Sequence, residues 1–244
     1  MKHILSAVRR AVDDYQMIEE GDKIAVALSG GKDSLTLLLA LNTLRIFYPK
    51  KFSIVALTID PGSNVLDISK LQEFCDKNNV EYIVEKTDIK QIVFDIRKEQ
   101  NPCSLCANMR RGALNNIAKA NGCNKIALGH HQDDVIETFF LSLFYEGHIH
   151  TFAPVTHLER ADITTIRPMI YVKEKDIKQF VSHNHITPLP KNCENDGNSK
   201  REYMKKLIST LSKDIPKLRE CVFGAIQKSN ISGWSKPMKG DSNE

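Results

Sequence analysis

No stretch of this sequence is long and apolar enough to cross a bilayer. The longest apolar run, Leu35 to Leu41, is interrupted by Thr36 and falls far short of the roughly 20 residues that a spanning helix needs. The opening MKHILSAVRRAVDDYQ lacks a small-residue cleavage site and carries acidic residues, so a secretory leader is not expected. Charge of one sign is not in excess either. The 34 Lys and Arg stand against 30 Asp and Glu, a net charge of +4, which excludes a polycation that coats nucleic acid without specificity and leaves only local basic patches. Internal repeats and low-complexity blocks are absent. What remains is a cytoplasmic chain of 244 residues, free of the membrane and long enough for one substantial core. Its six cysteines, without a secretory signal, point to thiolate chemistry and not to disulfides.

Apolar periodicity gives the organisation. Ile4, Val8, Val12 and Tyr15 share one face of an N-terminal helix over residues 3–18. Lys23–Leu28 (KIAVAL) reads as a buried strand, followed by a helix from Asp33 and a second strand, Phe52–Ile59. Helix 67–78, strand 80–84, helix 105–121, strand 124–128 and helix 133–145 continue the alternation. A βαβα order implies a Rossmann-like α/β fold, a parallel sheet covered on both faces. Regularity weakens after Gly147, then helices return over 173–183 and 200–213, separated by a polar loop, 189–199. The residues after Ile231 read as a frayed tail. The expected divisions are an N-terminal helix (1–20), an α/β domain (21–180) and a C-terminal region of loop and helices (181–244).

Between the first strand and its helix stands Ser29-Gly30-Gly31-Lys32-Asp33-Ser34. Glycines there free backbone amides to converge on an anion at a helix N-terminus, and Lys32 adds a compact positive charge. The spacing is neither Walker A nor G-x-G-x-x-G. A second loop, Gly129-His130-His131-Gln132-Asp133-Asp134, follows the strand NKIAL at the carboxyl edge where α/β sheets bind ligands, and it is expected to face the first. Asp133 and Asp134 are candidate Mg²⁺ ligands, because that ion takes one or two carboxylates plus phosphate oxygens; a helix N-cap is an equal reading of Asp133.

Cys103 and Cys106 lead into a helix, near an N-terminus whose dipole favours thiolate, and Cys193 is a third candidate in the later loop. C-x-x-C plus one distant cysteine is compatible with zinc, a redox pair or an iron–sulfur cluster, and taken alone favours zinc. Cys75, Cys123 and Cys221 have no partner at ligand spacing and read as small core residues. Arg110, Arg111, Lys200, Arg201, Lys205, Lys206, Lys213, Lys217 and Arg219 form basic segments, with Arg201 and Lys205 placed to track an RNA backbone.

The motif SGGKDS matches the PP-loop of the ATP pyrophosphatases, which cleave ATP between the α and β phosphates. Joined to LGHHQDD, PCSLCANMRRG, IRPMIYVKEKDI and KREYMKKLI, it resembles the tRNA 2-thiocytidine synthetases, from about MIEEGD to Lys228. The resemblance implies a loop that holds pyrophosphate and a nucleoside near Thr58, Ile59 and Asp60. It also implies a [4Fe–4S] cluster on Cys103, Cys106 and Cys193, with one iron lacking a protein ligand. The family often shows a second cysteine at the last site, and here Asp196 stands in its place. The implied partners are tRNA, with cytidine 32 of the anticodon loop as target, and a sulfur source such as a cysteine desulfurase or free sulfide; a homodimer is a further expectation. Lys32, Asp33 and the three cysteines are then the catalytic set, and Ser29–Ser34, Asp60, Gly129, Asp133 and Asp134 hold the nucleotide. Related readings are thiolation of uridine, a zinc-bearing ligase or amidotransferase, and a sensor without turnover.

Overall fold

The computed structural model describes residues 1–62, 66–97, 102–190 and 200–237. Six strands form one sheet: β1 (Lys23–Ala27), β2 (Ser53–Asp60), β3 (Glu81–Lys86), β4 (Lys125–Ala127), β5 (Val155–Leu158) and β6 (Ile163–Ile166). Their order is β3-β2-β1-β4-β6-β5, with every pairing parallel except β5 with β6. Among the described residues eight α-helices surround it: α1 (Lys2–Asp14), α2 (Lys32–Phe47), α3 (Ile68–Lys77), α4 (Pro102–Ala120), α5 (Gln132–Leu141), α6 (Glu174–His183), α7 (Lys200–Asp214) and α8 (Leu218–Lys228).

Strand alternation distributes the core. On β1 and β2, Ile24, Val26, Ile54 and Ala56 join a cluster with α1 and α2, whereas Ala25, Val55 and Leu57 turn to the other face with Ala118 of α4. Both faces are therefore buried, as apolar parallel strands demand. The first cluster runs from Ile4 to Trp234, so the N-terminal helix and the C-terminal helices share one core with the sheet.

Four features depart from the expectation. Where regularity weakens after Gly147, β5 and β6 form a hairpin in register from Val155↔Ile166 to Leu158↔Ile163, so the sheet is parallel with one antiparallel edge. The helix expected over 133–145 is α5 followed by a π-helical turn, Ser142–Glu146. Helix α8 lies in a stretch read only for its charge. The tail is not frayed as far as residue 237: Trp234 is fully buried, T-shaped against Tyr15 and Phe223, and its indole N–H donates to Phe152 O at 3.2 Å. Residues 238–244 lie outside the described residues. No helix among the described residues is long and apolar enough to cross a membrane.

Candidate active site

The strand order reverses at β1, with β2 on one side and β4 on the other. Open α/β sheets bind ligands at the carboxyl ends of strands at such a point, and both motif loops emerge there. Gly30 adopts φ 78, a left-handed conformation that costs glycine nothing. Ser29 N donates to Ser34 Oγ at 3.2 Å, and Ser34 Oγ donates to Gly31 O at 3.0 Å. The loop is thus held open by its own serines at the start of α2, whose first amides have no intrahelical acceptor.

The second loop presses on the first. A Cβ on Gly129 would stand 3.2 Å from the Asp33 carbonyl carbon and 3.3 Å from Ser34 N, so a side chain here would press on the backbone of the phosphate loop. On the other side Leu189 N donates to Gly30 O at 2.9 Å, and a Cβ on Gly30 would stand 2.7 Å from Leu189 Cδ1. The chain leading into the loop with Cys193 is therefore seated on the phosphate loop, although Cys193 itself lies outside the described residues.

Beside Ser29 opens a cavity of about 190 Å³. Leu28, Leu57, Ile59 and Leu128 give it apolar walls, and the exposed Arg110 and Arg111 of α4 line it as well, a shape and chemistry suited to a nucleoside with charge at one end. At the rim, Asp60 Oδ1 accepts from Gly62 N at 3.0 Å, and Thr58 Oγ1 donates to Leu28 O at 2.6 Å. These contacts brace the end of β2 against the loop.

Cys103 and Cys106 lie at the start of α4, Cys103 exposed and Cys106 partly buried against the cluster of Ile59, Ile89 and Val93. Spacing of i, i+3 puts both sulfurs on one helix face, and Cys106 precedes Arg110 by one turn, roughly 6 Å along the axis. Two accessible thiols so placed fit a cluster that draws its third thiolate from elsewhere. Among the described residues no three His, Cys, Asp or Glu side chains converge on a metal site. Cys75 and Cys123 are core residues, as expected: burial pushes the Cys75 thiol up to about 12 and raises that of Cys123. Cys221, read as core, is instead exposed on α8.

The carboxylates are already engaged. Asp133 accepts from Glu174 N at 2.7 Å and from the Arg219 guanidinium. Asp134 accepts from His131 N at 2.9 Å and pairs with Arg201 at 3.3 Å. Each carboxylate oxygen thus meets one protein donor and keeps a further acceptor site. The N-cap of α5 is His131, not Asp133: His131 Nδ1 accepts from Asp134 N at 3.3 Å, completing a capping box. Arg201, Lys205 and Arg219 consequently pair with the site's acids while remaining partly open to solvent.

Glu174 is the residue that motif reading passed over. Its carboxylate meets Lys32 at 3.3 Å, Lys205 at 2.9 Å and Lys178 at 3.2 Å. Burial would raise its pKa, but the Lys205 hydrogen bond and the charges of Lys32 and Lys205 outweigh burial and hold the carboxyl at about 2. Lys32 also reaches Asp33 at 2.8 Å, so the loop's ammonium is fixed between two carboxylates. The signal was the KEKDI segment, but its target lies far away in sequence. His130 is pushed down to about 4 by burial and is neutral at pH 7.

Residues 3–211 match the PP-loop domain family. The tRNA-cytidine(32) 2-sulfurtransferase of Syntrophotalea carbinolica is 40% identical over 225 residues, covering 89% of this chain and 85% of that protein. Its namesake from Geotalea uraniireducens is 40% identical over 226 residues, covering 91% and 90%. Among solved structures, the U34-tRNA thiolase NcsA from Methanococcus maripaludis with its [4Fe-4S] cluster superposes with a TM-score of 0.73 at 21% identity, covering 90% of this chain and 76% of that one. That likeness concerns the fold. With the phosphate loop, its facing loop and the cysteine pair in place, the chain belongs to the PP-loop domain family and, within it, to the tRNA-cytidine(32) 2-sulfurtransferases.

Proposed function

We propose that this protein thiolates tRNA with ATP, adenylating the C2 oxygen of an unpaired cytidine, position 32 by the relatives' names, and replacing that oxygen with sulfur. One juxtaposition carries the reading: the Cys103–Cys106 pair opens the same helix whose Arg110 and Arg111 line the cavity beside the phosphate loop. Sulfur chemistry and nucleotide chemistry thereby meet at one sheet edge.

The triphosphate lies over Ser29–Ser34, with Lys32 on the departing phosphates and Asp33 and Glu174 fixing its ammonium. The cytidine C2 oxygen attacks the α phosphorus. The bond to pyrophosphate breaks, its electron pair leaves with pyrophosphate, and the loop holds that product. Sulfide then attacks C2 and expels AMP with the C2–O electron pair, so no reductant is consumed. Cys103, Cys106 and Cys193 would hold a [4Fe–4S] cluster that supplies sulfur in nucleophilic form at its open iron. The sulfur comes from free sulfide, or from the persulfide of a cysteine desulfurase once a two-electron thiol reductant has brought it to the sulfide level. Magnesium arrives on the ATP phosphates, and no side chain is assigned to it. The protein's own contribution is orientation and preorganised charge.

Anaerobic purification followed by iron and acid-labile sulfide analysis tests the reading. Iron and sulfide in matching amounts are expected, and zinc without iron would remove the cluster from the mechanism.

A further inference from the structure

Eight consecutive residues after α5, Leu143–His150, are exposed. Among them Phe144 is 55% and Tyr145 45% accessible, an unusual outlay of aromatic surface for a soluble face. They belong to the π-helical turn that ends at Gly147, and Phe144 stacks on Phe140 with ring centroids 5.5 Å apart. The Lys200 ammonium sits 4.6 Å from the centroid of the Tyr145 ring, joining this turn to the start of α7. One turn on, Tyr203 is 59% accessible, and Lys206 is exposed one turn beyond it.

Helix α7 therefore has two working sides. Arg201 and Lys205 reach the acids of the ATP site, Met204 and Ile208 are buried, and Lys200, Tyr203 and Lys206 look outward. A helix is only about 10 Å across, so the outward face stands next to the proposed reaction centre. Aromatic rings interleaved with ammonium groups suit single-stranded nucleic acid: bases stack on the rings whatever their identity, while lysines follow the backbone. Contacts between proteins also favour aromatics but are depleted in lysine, and here lysines sit among the rings.

The geometry points to this ledge, Phe144, Tyr145 and Tyr203 interleaved with Lys200 and Lys206, as the surface that receives unpaired nucleotides of the RNA substrate. The inference rests on the function proposed above for its partner. The test is binding of the full chain to an unmodified anticodon stem-loop transcript, with the same strand closed into a duplex as control. Tyr145→Ala and Tyr203→Ala should each weaken stem-loop binding about tenfold, while Tyr145→Phe and Tyr203→Phe retain it. ATP affinity should be unchanged in all four variants. Lys206→Ala should lower the salt dependence of binding by about one phosphate contact. Unchanged stem-loop affinity in both alanine variants would overturn the ledge. So would a wild-type dimer, seen by sedimentation, that Tyr145→Ala splits without loss of RNA affinity, since the face would then join two copies. A wild-type chain that binds no tRNA at all would instead overturn the proposed function.

Discussion

Replacing Cys103, Cys106 or Cys193 singly by alanine should abolish bound iron and tRNA thiolation together, while ATP binding persists. Cys103 and Cys106 lie at the start of α4; Cys103 is exposed, so its loss leaves packing nearly untouched, whereas Cys106 is partly buried against Ile59, Ile89 and Val93 and its alanine variant should lose a little stability but keep the fold. A cluster built on three thiolates has no spare ligand to cover a missing one. The internal control is the other three cysteines. Cys221 is exposed on α8, and its alanine variant should bind iron and turn over normally. Cys75 and Cys123 are buried, and their variants should lose some stability through small cavities but keep iron and activity. Iron content, melting temperature and thionucleoside yield measured on one set of variants separate these cases. A fully active Cys193→Ala chain, or a Cys221→Ala chain without iron, would redraw the site.

Lys32→Ala should retain the fold and lose activity by about a hundredfold or more, the scale seen when one preorganised charge or donor is removed from a developing anion. The side chain is 25% exposed, stands at the first residue of α2 and belongs to no core cluster, so the melting temperature should move little. Asp33→Ala should act in the same direction by releasing the ammonium it meets at 2.8 Å. Neither variant should alter iron content, because the ion pairs of Lys32 are with Asp33 and Glu174 and neither residue is a candidate cluster ligand. Normal turnover of either variant at saturating tRNA would show that the glycine loop is not the phosphate site.

The α/β order was legible because short apolar runs such as the IAVA of β1 and amphipathic helices such as α1 carry their period within a few residues. The two facing loops were legible for the same reason: each motif is contiguous and sits at a strand end. The hairpin was not. Its strands are four residues long, too short for alternation to register, and Pro154 and Pro168 flank them with turn signals. Trp234 stands alone among small and polar residues, so nothing local announces that Tyr15, Phe152 and Phe223 surround it. The ionic frame was hidden by distance. Asp133 pairs with Arg219, Asp134 with Arg201 and Glu174 with Lys205, partners that only folding brings together. Read locally, those basic residues resemble a solvated RNA-facing surface, whereas three of them are spent on the acids around the ATP loop.

The most direct measurement follows the fate of ATP and of the tRNA base together. The reconstituted protein would be mixed anaerobically with ATP, Mg²⁺, sulfide and unmodified tRNA, the nucleotides quantified, and the tRNA digested for mass spectrometry. Adenylation at C2 requires cleavage between the α and β phosphates, because only that cleavage leaves adenylate on the oxygen and frees the pyrophosphate that Ser29–Ser34 is shaped to hold. The expected result is one AMP and one pyrophosphate for each 2-thiocytidine formed in the anticodon loop. ADP as the product, or no thionucleoside from a chain with an intact cluster, would contradict the account.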